Sequence, residues 1–252
     1  MNDVIKFENL SKKIGRKVIL HNLSFSIGKG KITGIVGPNG AGKSTMIKTM
    51  LGLYHVTSGN IYIDGFSVKK DLEKCLSKIG CIIENPDIYN NLSGRKNLEL
   101  YAELNGMKDK GYINRLVELV KLSNRIDDKV KTYSLGMKQR LGIACALVNK
   151  PSILILDEPT NGLDPFGIKE LRELLKLINE KTTITIILCS HILEEMEKVC
   201  DDVILIDNGR FIDKVNVADL KQENKSLEDV FVEKLHGSKG QLRWWYEDIE
   251  IN

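Results

Sequence analysis

The sequence lacks paired cysteines, long apolar runs and any strong excess of charge, and it is poor in aromatic residues. Its five cysteines, Cys75, Cys81, Cys145, Cys189 and Cys200, are odd in number, widely scattered and free of CxxC spacing. That pattern excludes a disulfide scaffold and fits a reducing compartment. Cys145 and Cys189 fall inside apolar runs, where cysteine behaves as a small hydrophobe. The longest apolar stretches, Ile153-Leu154-Ile155-Leu156 and Ile184-Thr185-Ile186-Ile187-Leu188, are too short to cross a bilayer. The amino end, Met1-Asn2-Asp3-Val4, has no resemblance to a secretory leader. These absences lead to the expectation of a cytoplasmic protein. A net charge of +3 is ordinary, and the lysines read as a solvated surface. Among the four histidines, His21, His55 and His236 are scattered without ligand spacing around His191, so no metal cluster is expected. Internal repeats and heptad runs are also missing.

One run stands out against this background: Gly37-Pro38-Asn39-Gly40-Ala41-Gly42-Lys43-Ser44-Thr45. It matches every fixed position of a phosphate-binding loop. An apolar segment, Ile32-Thr33-Gly34-Ile35-Val36, precedes it and Met46-Ile47-Lys48-Thr49-Met50-Leu51 follows, giving the strand–loop–helix context that the motif requires. Glycines allow the chain to curl and turn successive N–H groups toward one centre. The following helix adds its positive end. Gly37, Asn39, Gly40, Gly42, Lys43, Ser44 and Thr45 are therefore candidate phosphate-binding residues. Lys43 is expected on the β- and γ-phosphates and Ser44 on Mg²⁺.

The start of the chain alternates apolar and polar residues, predicting antiparallel strands that turn near Gly15-Arg16. Gly59 to Gly65 reads as a short strand closed by an Asp-Gly turn, and Asp207-Asn208-Gly209-Arg210 as a hairpin. Residues 86–150 lack strand runs and carry helical periodicity in Leu98, Tyr101, Ala102 and Leu104, then in Ile113, Leu116, Val117 and Val120. Ser93 is placed to cap the first of these helices and Gly106 to end it. Further on, the helical run Leu141 to Leu147 follows Tyr133-Ser134-Leu135-Gly136-Met137-Lys138-Gln139-Arg140. The α/β pattern returns after Pro151. The expectation is an α/β phosphate-loop NTPase core with an N-terminal antiparallel β subdomain and a helical lobe inserted at about residues 86–150. Trp244-Trp245-Tyr246 in the tail, residues 237–252, would be a packed element or an exposed contact patch.

Three other places carry chemistry. The strand Ile153-Leu154-Ile155-Leu156 delivers Asp157 and Glu158 at its carboxyl end, where open α/β sheets place their ligands. Asp157 is placed for Mg²⁺ or its bound water, and Glu158 for the attacking water opposite the γ-phosphate. His191, just past the strand ending in Cys189 and Ser190, reads either as a surface or capping histidine or as a donor that senses the γ-phosphate. Ser134 and Gly136 stand at the mouth of a helix, which is either an ordinary cap or a second anion-binding surface. Such a surface on a chain that already has a phosphate loop suggests two copies packed head to tail.

The order of these motifs resembles the nucleotide-binding subunit of an ATP-binding-cassette transporter over residues 4–235. The run includes Asn161-Gly162-Leu163-Asp164 as well as the segments above. The resemblance implies one ATPase domain, residues 1–236, acting as a dimer that closes around two ATP molecules with Mg²⁺. Each ATP would lie between Lys43 of one copy and Ser134 and Gly136 of the other, with Asp164 at the seam. The domain would work on the inner face of the membrane through a separate permease that alone contacts the transported substrate. Glu158 would orient water, His191 would hold that geometry, and movement hinged near Glu84 would reach the permease. A nucleic-acid partner is not expected, for tandem cassettes and long coiled coils are missing. No Asn-Lys-x-Asp run appears, which disfavours a GTPase.

The chain departs from the family pattern in three places. Ile82-Ile83-Glu84-Asn85-Pro86 carries a glutamate where glutamine is usual; Glu84 can approach Mg²⁺ or water but, when ionised, cannot donate a side-chain N–H. The signature reads Tyr133-Ser134-Leu135-Gly136-Met137 in place of Leu-Ser-Gly-Gly-Gln. Ile14 stands where an adenine-stacking aromatic is common. With Ser226-Leu227-Glu228-Asp229-Val230-Phe231, the glutamate and the signature resemble the bacterial exporter branch of lantibiotic immunity and bacitracin resistance. Other exporters share these features, and an importer ATPase shares the catalytic motifs. Replacing Ile14 by tyrosine is expected to raise the ratio of ATP to GTP affinity, measured by competitive nucleotide binding; an unchanged ratio would remove Ile14 from base recognition.

Overall fold

The computed structural model describes residues 3–238, so Trp244, Trp245 and Tyr246 lie outside the described residues. Two long strands, β1 (Asp3–Ile14) and β2 (Lys17–Gly28), form a hairpin whose turn includes Gly15 at φ 58°. Strand β3 (Ile32–Val36) leads through the glycine-rich loop into helix α1 (Lys43–Met50). Next, β4 (Ser58–Ile63) pairs with β1 and turns at Asp64 and Gly65, φ 49° and 82°, into the two-residue β5 (Phe66–Ser67). The first sheet therefore runs β2-β1-β4-β5 and is antiparallel. Ile5, Phe7, Leu10, Leu20, Leu23, Ile27, Ile61 and Ile63 line its inner side.

A short helix, α2 (Leu72–Leu76), precedes the edge strand β6 (Ile79–Ile82). Three helices follow: α3 (Gly94–Leu104), α4 (Lys110–Leu119) and α5 (Leu135–Ala146). The chain then returns to sheet and helix with β7 (Ile153–Asp157), α6 (Pro165–Thr182), β8 (Thr185–Ser190), α7 (Leu193–Val199) and β9 (Asp202–Asp207). The Asn208-Gly209 turn, φ 46° and 69°, reverses it into β10 (Arg210–Asn216), and α8 (Val217–Gln222) and α9 (Leu227–Ser238) complete the described chain.

The second sheet runs β10-β9-β3-β8-β7-β6, parallel except for β10. Its central strands are apolar and buried on both faces, as a covered parallel sheet demands. Alternation splits β7 between two cores. Leu154 and Leu156 face the cluster built from α3 to α9, while Ile153 and Ile155 face α1 and the antiparallel sheet. The parallel strands thus end at one common edge, where the phosphate loop and the two carboxylates emerge.

The helical segment forms as its periodicity predicts, except that Leu104 at the end of α3 is 75% exposed and outside the core. Ser93 Oγ accepts from Lys96 N at 3.2 Å, and Leu98, Ala102, Ile113, Leu116, Val117 and Val120 are buried together. The helical run at Leu141 begins already at Leu135, and Ser134 caps it, as one of its two readings has it, by accepting from Met137 N at 3.2 Å. Helix α5 lies close on the edge strand and on the loop after it. A Cβ at Gly80 would stand 2.0 Å from Ala146 O, and one at Gly142 would stand 2.5 Å from Pro86 Cβ. Among the described residues, no helix is long and apolar enough to cross a membrane.

Asn97, fully buried on α3, fixes the loop that joins β6 to this lobe. Its Oδ1 accepts from Tyr89 N at 2.7 Å, and its Nδ2 donates to Tyr89 O at 3.1 Å and Ser93 O at 2.9 Å. One turn on, Tyr101 Oη donates to Asp87 O at 2.5 Å. Asn97→Ala leaves these backbone groups without that partner and is expected to destabilise the protein by about 2–3 kcal/mol. Urea unfolding checks this; a loss under about 1 kcal/mol would show that the clamp is dispensable.

Candidate nucleotide site

The loop between β3 and α1 has its shape because glycine is required at three positions. A Cβ at Gly37 would come within 2.1 Å of Ile206 O. Gly40 and Gly42 take φ of 82° and 102°, in the left-handed region. Gly42 also faces β2, where a Cβ would meet Leu20 Cδ2 at 2.8 Å. The loop is held at its middle by Gly209 N, which donates to Ala41 O at 2.8 Å from the β9–β10 turn. Lys43 and Ser44 then open α1, whose first N–H groups add the positive end of the helix.

Lys43 is 6% exposed. Its Nζ donates to Gly37 O at 2.7 Å and Pro38 O at 3.3 Å, and lies 3.8 Å from Glu158 Oε1. A buried ammonium satisfied by carbonyls of its own loop can exchange those weak partners for phosphate oxygens without moving far. Opposite it, β7 ends in Asp157, only 2% exposed. The Asp157 carboxyl is pushed above its ordinary value, first by burial and then by the charge of Glu158, against a hydrogen bond from Ser44. Asp157 Oδ1 has no hydrogen-bond partner.

Glu158 follows with φ 49°, a conformation that costs a non-glycine residue of order 1–3 kcal/mol. Its N–H donates to Cys189 O at 2.9 Å, tying the strained residue to β8. Its carboxylate meets His191 Nδ1 at 2.9 Å. Lys43, Glu158 and His191 thus meet at one edge of the sheet, brought there by β3, β7 and β8. A cavity of about 550 Å³ opens between them, lined by Asn39 to Thr45, Glu158, Asn161, His191, Lys17 and Ile19.

The buried, unpartnered Asp157 oxygen and the neighbouring Ser44 hydroxyl fit a hard divalent cation that takes oxygen ligands. Among the described residues there is no group of three or more His, Cys, Asp and Glu able to hold a metal.

Other expected site residues lie elsewhere. Glu84, φ 64°, has its carboxylate 69% exposed and 3.1 Å from Lys48 Nζ on α1. Ser134 and Gly136 begin α5 and do not line the cavity of their own chain. Asp164 caps α6, accepting from Gly167 N at 2.7 Å. The two segments touch: a Cβ at Gly162 would lie 3.0 Å from Leu135 Cδ2. Ile14 is 45% exposed and outside the cavity lining, while Lys17, its partner across the hairpin, lines it. Lys17, Ile19 and Asn161 were not singled out from sequence. Register across the Gly15-Arg16 turn would have pointed to Lys17, and Asn161 stood within a run already noted.

A family model described as ABC transporter matches residues 20–161. The uncharacterized ABC transporter ATP-binding protein YhcH of Bacillus subtilis (strain 168) is 47% identical over 231 residues, 92% of this chain and 75% of its own. The bacitracin transport ATP-binding protein BcrA of Enterococcus faecalis is 40% identical over 89% of this chain and 73% of its own. The lantibiotic transport ATP-binding protein SrtF of Streptococcus pyogenes is 45% identical over 83% of this chain and 89% of its own. Among solved structures, the dimeric post-hydrolysis state of an ATP-binding cassette bound to ADP and Pi superposes with a TM-score of 0.73. It is 27% identical over 84% of this chain and 98% of that one. The chain belongs to the ATP-binding subunits of ABC transporters, and its fold is the α/β phosphate-loop NTPase fold of that family, with the N-terminal β subdomain and the helical lobe.

Burial makes the folded Asp157 hold its proton to higher pH than the unfolded chain does. Stability therefore falls as pH rises from the ordinary carboxylate range, and the penalty stands at neutral pH. Asp157→Asn removes it and is expected to raise the melting temperature of the nucleotide-free protein by about 2–4 °C in calorimetry with chelator present. An unchanged or lower melting temperature would contradict the strained-carboxylate account.

Proposed function

We propose that two copies of this chain bind and hydrolyse two ATP molecules with Mg²⁺ and so drive a membrane permease. The observation that supports this reading most strongly is the meeting of Lys43, Glu158 and His191 over a phosphate loop, beside a buried Asp157 oxygen without a partner. Lys43 would leave the carbonyls of Gly37 and Pro38 for the β- and γ-phosphates. The Glu158 carboxylate, held by His191, would orient a water in line with the γ-phosphorus and take its proton as the bond to the bridging oxygen breaks and ADP departs. Asp157 and Ser44 would hold Mg²⁺, which neutralises phosphate charge when bound.

Sharing of each site between two copies is supported by where the signature sits. Ser134 and Gly136 form a helix mouth outside the cavity of their own chain, next to the Gly162-Leu163 segment. The ADP- and Pi-bound relative is dimeric, which supports the pairing of two copies. The helical lobe, residues 86–150, would face the permease. Tyr89 is a candidate contact, because a 58% exposed ring on a loop clamped by Asn97 and Tyr101 is presented without loss of order. Work at the inner face of the membrane follows from such docking.

The substrate proposed is an antimicrobial peptide, lantibiotic or bacitracin-like, exported through the permease. Similarity to BcrA, a bacitracin transport protein, and SrtF, a lantibiotic transport protein, supports it, as do Glu84 and the Tyr133-Ser134-Leu135-Gly136-Met137 signature. Export of another substrate is the second reading, and the uncharacterized relative YhcH leaves it open.

Glu158→Gln should bind ATP, form a stable dimer in sedimentation and lose at least about 100-fold in turnover; turnover at the wild-type rate would show that another group acts on the water. Lys43→Ala should lose nucleotide binding itself. Co-purification with the permease, and ATPase stimulation by bacitracin or a lantibiotic but not by unrelated drugs, tests the peptide reading.

A further inference from the structure

Strands β6 and β7 are parallel neighbours with Ile82 opposite Leu156. Two residues beyond each partner stand Glu84 and Glu158, so both glutamates lie just past the carboxyl ends of neighbouring strands. With Asp157, three carboxylates belong to this one corner. Both glutamates have left-handed backbones, and Asn85 N donates to Ile83 O at 2.8 Å, closing a three-residue turn around Glu84. A turn so tight and strained fixes where the side chain starts. From there the Glu84 carboxylate reaches to α1 and meets Lys48 Nζ at 3.1 Å.

We infer that Lys48 is a positioning residue of the nucleotide site: its ammonium holds the Glu84 carboxylate against α1, off the Asp157–Glu158 end of β7, and keeps a third negative charge away from the bound phosphates. Glutamine at position 84 would need no such partner, because a neutral amide does not repel phosphate or the two acids. The requirement for Lys48 is therefore created by the glutamate. The electrostatics agree in sign: Glu84 is among the charges that push the Asp157 carboxyl up, and its hydrogen bond is the largest influence raising Lys48. Lys48 is only half-buried, and so is expected to act modestly and in a salt-dependent way.

The test measures affinity for ADP and ATP by competition with a fluorescent nucleotide, in chelator and without Mg²⁺, so that binding is read apart from turnover. Lys48→Met, or Lys48→Gln as a second neutral variant should the first fail to fold, is expected to weaken binding about three- to fivefold at low salt and less at high salt. Lys48→Arg should keep wild-type affinity. In a Glu84→Gln background the same Lys48 change should alter affinity by less than about twofold. Equal weakening in both backgrounds, or none in the wild-type background, would overturn the positioning role. The inference rests on the cavity being the ATP site, and the two can fail separately: Lys43→Ala that binds nucleotide like wild type would sink the site itself.

Discussion

Negative charge crowds the carboxyl end of β7, and the site is built around that crowding. Asp157 is buried with one oxygen unpartnered, and Glu158 follows in a strained backbone. One buried ammonium, that of Lys43, stands near them. In the free protein this corner is held by weak partners: loop carbonyls on Lys43, and His191 on Glu158. On the proposed function, a cation with a triphosphate would satisfy them together, and that would make binding energy available for a change of state.

The fold exists to hold that corner still. The alternating residues of β7 are gripped by two separate cores, one toward α1 and the antiparallel sheet and one toward the helices. The phosphate loop is fixed from the far side by Gly209 and from below by β2. On the β6 side, α5 and Pro86 pack so closely on Gly80 and Gly142 that the helical lobe leaves the core through one short, well-determined passage containing Glu84. A change in the charge around Glu84 therefore acts at the place where the two parts of the molecule join.

Much of this was legible in the sequence because the signals are local. The phosphate loop, the Asp64-Gly65 and Asn208-Gly209 turns, the Ser93 cap and the apolar β7 each depend on a handful of adjacent residues, and the structure has them all. Short elements such as α2, β6 and α8 carried too few residues for a period to show. The start of α5 is set by Ser134, for which the sequence left an ordinary cap and an anion-binding surface both open; the cap is local and visible, whereas a second copy over it is not. Contacts between distant segments were beyond reach: Lys48 meets Glu84 from 36 positions away, and Lys17 enters the cavity only through strand register. Ile14, expected at the base, is 45% exposed and is not among the residues that line the cavity.

The central claim is that each nucleotide is shared between two copies, and mixing two broken ones tests it most directly. Lys43→Ala lacks the phosphate-loop cation and Ser134→Arg blocks the signature, so neither variant alone should form a dimer with ATP. Mixed together, they retain one site with an intact Lys43 from one copy and an intact Ser134 from the other. Sedimentation with ATP should then show a mixed dimer that neither variant gives alone. If the mixture stays monomeric while the wild type dimerises under the same conditions, the nucleotide site is not divided between copies.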